Sequence, residues 1–239
     1  MPYWAHVAPY QLVSITMATE SNNRISDFFN GLSRLWGQPK PPKQYKYLID
    51  LMKSAKVDVE KGLSNTEVKQ IEAMFGFTFP PDYRELLQLV LPVSKSYTNW
   101  RLALTSVEAR AAIESKLNWP LEGIEFDIEH NDFWLEDWGK KPATLEEMFL
   151  VAKQKVQAAP KLIPIYGHRF IPADPHEINN PVFSVYQTDI VYYGRNLISY
   201  FFNEIGAALL PDIEVPDQPR KIPFWSELVE LQFPDENED

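Results

Sequence analysis

Glu125, Asp127 and Glu129 alternate with Ile124, Phe126 and Ile128. Successive side chains of a β-strand point to opposite faces, so this spacing predicts a strand with an apolar core face and an acidic face, its carboxylates about 7 Å apart. Like charges in such a row destabilise one another unless something cationic faces them. A basic protein surface would do so, speeding association more than deepening affinity. A solvated sheet face balanced by lysines from elsewhere in the fold accounts for the same row. Just beyond it, Phe133–Trp138 places Trp134 and Trp138 beside Glu136 and Asp137. Tryptophan anchors many interfaces, and flanking carboxylates suit a basic partner's rim; inward packing of two rings four residues apart suits the same segment. The candidate partner-binding set is therefore Glu125, Asp127, Glu129, Trp134, Glu136, Asp137 and Trp138.

Other chemistries find less support. His168, Asp174, His176 and Glu177 do not match H-E-x-x-H or another compact ligand pattern, and Pro172 and Pro175 interrupt them, so a surface loop without metal is expected. The chain has no cysteine, which excludes disulfides, thiolate metal sites and a cysteine nucleophile. The nine glycines form no G-x-G-x-x-G, no phosphate-cradling loop and no G-x-S-x-G elbow. No cofactor is implied. Carboxylate pairs are abundant, so a hydrolase using two of them stays open as an alternative.

The elements that must position these groups belong to a chain of 239 residues, enough for one or two domains with a core of their own. Its net charge of −10 is concentrated. Four acids crowd Asp235–Asp239 and seven lie between Glu122 and Asp137, neither stretch containing Lys or Arg. Such a protein repels nucleic-acid phosphate, which disfavours DNA or RNA as a partner. The apolar opening run Trp4–Ala18 is broken by His6, Pro9 and Gln11 and is too short to span a membrane. The first Arg is Arg24, so the run lacks a basic leader region, and a cytoplasmic protein without membrane attachment is expected.

Helical spacing marks Ser26–Gly37 and a second stripe at Tyr45, Leu48, Ile49 and Met52, joined by a proline-rich linker. Ser64-Asn-Thr-Glu67 matches a capping box, and Gly76 stands where a left-handed cap belongs. Pro81 suits the first turn of a second helix carrying Tyr83, Leu86, Leu87 and Val90. A helix is expected over Ser106–Leu117, and another after a capping box at Thr144-Leu-Glu-Glu147. Leu162–Tyr166, Val182–Tyr186 and Asp189–Tyr193 read as strands, the last two joined at Gln187-Thr188. Asn196 caps a helix with Leu197, Tyr200, Phe201 and Ile205, and Ile222–Leu231 suggests a docking terminal helix. Trp100 and Trp119 are assigned to the core. Helices at both ends with strands between argue for an α+β fold.

Leu63–Val68 (Leu-Ser-Asn-Thr-Glu-Val) followed by Phe75–Leu87, with its Phe-Gly-Phe-Thr-Phe-Pro-Pro-Asp-Tyr core, resembles the opening of the SUKH superfamily. Leu162–His168, Asn180–Val185, Asp189–Gly194 and Asn196–Phe201 resemble, in order, its later strands and closing helix. That superfamily includes fungal cell-wall-synthesis regulators and bacterial immunity proteins. The resemblance implies helices packed on a mostly antiparallel sheet, no catalytic centre and action through protein binding. It divides the chain into a helical extension over 1–60, a SUKH-like domain over 61–207, and a connector, terminal helix and acidic tail over 208–239. It points to an immunity protein blocking a basic toxin by direct contact, with a regulatory scaffold of the fungal type as the alternative.

Overall fold

Ser64 opens the best-marked helix of the computed structural model, which describes residues 42–232. The expected helix at Ser26–Gly37 and the acidic end at Asp235–Asp239 lie outside the described residues. The chain divides into two units at Lys46/Tyr47. Of the first, only residues 42–46, including the opening of the first described helix, are described; the account below concerns the second.

The described elements are α1 (Lys43–Ser54), β1 (Val59–Lys61), α2 (Asn65–Phe75), α3 (Pro81–Leu89), β2 (Val90–Pro92), α4 (Val107–His130), α5 (Leu145–Ala158), β3 (Leu162–Tyr166), β4 (Arg169–Pro172), β5 (Val182–Tyr186), β6 (Asp189–Gly194), α6 (Leu197–Ile205) and α7 (Trp225–Glu230). Short 3₁₀ turns occupy Leu102–Leu104 and Glu136–Trp138. The fold is α+β, with two antiparallel sheets: a β1–β2 ladder and a four-stranded meander in the order β3-β4-β5-β6.

The capping box forms as the sequence predicts. The Ser64 N–H donates to Glu67 Oε2 at 2.7 Å and the Glu67 N–H donates to Ser64 Oγ at 3.2 Å, so two orphan donors of the first turn are satisfied reciprocally. Gly76 closes the helix at φ 64°, in the left-handed region where a Cβ is costly. Pro81 begins α3. Between the two helices Phe75, Phe77 and Phe79 set their rings edge-on against fully buried Trp100, at centroid distances of 5.9, 5.6 and 5.2 Å. Each such pair adds roughly 0.5–1.5 kcal/mol beyond its buried area. The Trp100 indole donates to the Tyr83 hydroxyl at 3.2 Å, which satisfies both polar tips. Arg101 then ties the hairpin to β1, donating to Glu67 Oε1, Glu60 Oε2 and the Lys61 and Gly62 carbonyls at 2.7–2.9 Å.

The meander carries helices on both faces. On one, Phe170, Phe183, Val185 and Ile190 join Ile124 and Ile128 of α4, Ala152 of α5, and Trp225, Leu228 and Val229 of α7 in one buried cluster. On the other, α6 lies close: Arg169 of β4 donates to Glu204 Oε2 at 3.2 Å and to Ser184 Oγ at 2.8 Å, with its guanidinium 3.7 Å above the Tyr193 ring. Asn196 and Ser199 form the reciprocal cap of α6.

Three expectations are corrected. The strand expected at 124–129 is the last part of a 24-residue helix that continues through Pro120. Ile124 and Ile128 are buried at i and i+4, so the same residues satisfy a helical period. The loop expected around His168 contains β4, paired on both sides. At α5, the Glu147 N–H donates to Thr144 Oγ1 at 3.3 Å, but that hydroxyl donates to the Glu147 carboxylate at 2.9 Å, so the cap is one-sided where a reciprocal box was expected.

Candidate functional site

The helix that replaces the acidic strand redistributes its side chains. Ile113, Pro120, Ile124, Asp127 and Ile128 of α4 are buried. Trp119, Glu122, Phe126 and Glu129 fall on the opposite side of a 3.6-residue helix. Phe126, expected in the core, is 44% exposed, and Trp119, also assigned there, is 42% exposed.

Asp127 leaves the candidate surface altogether. It is 4% exposed, and its carboxylate accepts the Thr188 N–H at 2.8 Å, the Thr188 hydroxyl at 2.6 Å and the Asn131 amide at 2.6 Å. It therefore clamps α4 to the tight turn between β5 and β6. Gly123 permits the approach: a Cβ there would lie 2.7 Å from the Gln187 Cα. Trp119 adds a third tie, its indole donating to the Val185 carbonyl at 3.2 Å. Buried polar groups need such partners, and these hold the outer face of α4 in one position.

Glu125, half-buried, flanks this face. Burial and the neighbouring Glu122 carboxylate push the Glu125 carboxyl above its ordinary range, against the opposing pull of Lys153 on α5. Lys141 pairs with Asp132. The acidic stretch without basic residues in sequence thus gains lysines from α5 and its approach, a partial form of the solvated-face alternative. Glu122 and Glu129 form no ion pair with Lys or Arg among the described residues. The His130 ring stacks on Phe126 at 4.2 Å, and its Nδ1 lies 3.0 Å from the Phe126 carbonyl.

Glu136 and Asp137 are exposed on the 3₁₀ turn that follows. Trp134 and Trp138 meet edge-on at 5.2 Å, and Trp138 stacks over Phe224 at 6.3 Å and packs on the buried cluster. The Trp134 indole donates to the Gly139 carbonyl at 2.8 Å. Both rings are half-buried, which is the inward arrangement; the exposed aromatics of the region are Trp119 and Phe126. Their sequence signal was the seven-residue interval Trp119–Phe126 with Glu122 and Glu129 in step, masked by the alternation around it.

Elsewhere, an open pocket of about 420 Å³ beside Gly76, Lys161 and Asp174 is lined mainly by polar groups, and one of about 180 Å³ beside Tyr193, Arg195 and Asn203 is lined by polar and apolar groups alike. Buried Asp82 and half-buried Glu204, both pushed upward by desolvation, are engaged internally. Asp82 accepts the Tyr83 and Asn179 N–H groups, and Glu204 accepts Arg169. Glu177 pairs with Arg220, and no group of three or more His, Asp or Glu among the described residues is placed to hold a metal ion. No helix among the described residues is long and apolar enough to cross a membrane. No protein-family model, curated protein or solved structure matches the chain.

Proposed function

We propose that this chain is a cytoplasmic, non-enzymatic SUKH-like binding protein that acts as an immunity protein, neutralising a basic toxin domain by direct contact. The observation that carries the reading is the outer face of α4, where Phe126 and Trp119 stand exposed among Glu122, Glu125 and Glu129. Exposed aromatics supply apolar area for a partner, and Glu122 and Glu129, which form no ion pair with Lys or Arg among the described residues, supply long-range attraction that raises the encounter rate. Glu136 and Asp137 extend the negative field. The Ser64 and Pro81 blocks, the antiparallel meander and its covering helices agree with the architecture that the SUKH resemblance implies.

The test is capture from native lysate at low salt with tagged wild type and an E122K/E125K/E129K variant, followed by kinetics on the purified partner. A stoichiometric basic protein is expected, released as salt rises, with an association rate at least about tenfold lower for the variant. An unchanged rate and affinity at low salt would refute this surface.

A further inference from the structure

Trp119 and Phe126 are seven residues apart on α4, and so are Glu122 and Glu129. Two turns of helix advance about 10.5 Å and drift only about 20° around the axis, so both pairs stay on one stripe. The stripe alternates ring, carboxylate, ring, carboxylate, with exposed Ala112 and Ser115 in step before it. The core side of the helix is occupied by Ile113, Pro120, Ile124 and Ile128, so this face is the one turned from the chain's own core.

We propose that the stripe is the docking seat for a basic amphipathic helix of a partner protein, its apolar side chains packing around Trp119 and Phe126 and its Lys or Arg side chains meeting Glu122 and Glu129. The inference rests on the protein-binding function proposed above and specifies the occupant. Charge complementarity sets the partner's sign, because neither Glu122 nor Glu129 has a Lys or Arg ion pair among the described residues. Spacing sets its shape. A helix crossing at about 20° keeps its own seven-residue repeat in step with the stripe. An extended strand offers same-face side chains about every 6.8 Å and is out of step by the second contact. The rings are also already held, Trp119 by the Val185 carbonyl and Phe126 by stacking on His130, so docking immobilises little that was mobile.

The test uses the full chain, isotopically labelled, titrated at low salt with synthetic peptides of about three heptads. One carries Leu and Lys in alternating heptad positions; a second has the same composition in scrambled order; a third replaces Lys with Glu. The ordered Leu/Lys peptide is expected to bind at least about tenfold tighter than the scrambled one, with amide shifts concentrated over residues 112–130. That preference should vanish in F126A and in E122K/E129K, whose far-UV spectra and urea midpoints establish that they fold. Equal binding of ordered and scrambled peptides overturns the helical seat, as does binding of none. Shifts centred elsewhere, or a preference that survives both variants, overturns its place on α4. Failure of the broader function is read separately, as native capture that E122K/E125K/E129K does not alter.

Discussion

Substituting Asp127 separates the buried clamp from the acidic row more sharply than any other change. If residues 124–129 formed an alternating strand, Asp127 and Glu129 would be equivalent. In the helix they are not: Asp127 is 4% exposed and accepts three hydrogen bonds, whereas the Glu129 side chain is about half exposed. A hydrogen bond to a charged group contributes roughly 1.5–3 kcal/mol, and a stranded buried donor costs about 1–3 kcal/mol. The three bonds share one carboxylate and are not additive, and removing the charge relieves its own desolvation. A net loss of about 3 kcal/mol is therefore expected for D127A, about half of that for D127N, and within about 0.5 kcal/mol of zero for E129K. For a folded unit of this size, about 3 kcal/mol corresponds to a fall in Tm of roughly 6–12 °C. Urea unfolding followed by far-UV circular dichroism should give a lower midpoint at unchanged slope for D127A, a smaller fall for D127N and none for E129K. A D127A midpoint like wild type, or an E129K midpoint as low as that of D127A, would refute the clamp.

Gly123→Ala pits two effects against each other. Helix propensity favours Ala by about 1 kcal/mol, but a Cβ 2.7 Å from the Gln187 backbone costs about 1–3 kcal/mol, so a net destabilisation in urea is expected and a stabilised variant would contradict the close approach. Burial alone would raise the Glu67 carboxyl, yet the Arg101 guanidinium and the Ser64 hydrogen bonds hold it at about 2 against an ordinary 4.5. A folded-state value below the unfolded one stabilises above pH 4.5 and is lost as pH falls towards 2. The stability gap between wild type and R101M should shrink across that window, and a gap independent of pH would exclude the pair as its source. Phe126→Ala, on an exposed position, should shift the urea midpoint by under about 1 kcal/mol while weakening partner binding; a core-sized loss would mean that the ring is buried.

Local chemistry carried much of the fold into view. Ser64 with Glu67, Gly76, Pro81 and Asn196 mark helix ends because caps satisfy orphan backbone groups with side chains a few residues away. The strands Leu162–Tyr166 and Val182–Tyr186, and the last strand as Asp189–Tyr193, one residue short of its end at Gly194, showed in their β-branched and aromatic runs. Strand β4 did not, being four residues long and ending in Pro172, and it is held by ladders to β3 across the turn at 167–168 and to β5. Helix α4 was cut short because Pro120 removes a backbone donor and ordinarily costs about 3 kcal/mol inside a helix. Tertiary burial of Pro120, Ile124 and Ile128, with the Asp127 clamp on Thr188, outweighs that cost.

The amino-acid sequence by itself determined the α+β class, the helix caps, three of the meander's strands and the concentration of acid between Glu122 and Asp137, all of them matters of composition or of neighbours within one or two turns. Only the tertiary structure decided which of those acids face outward. Ile124 and Ile128 fit both a two-residue and a 3.6-residue period, and the choice came from the turn at Gln187–Thr188, some sixty residues away, which draws Asp127 inward and leaves Glu122, Phe126 and Glu129 on the surface.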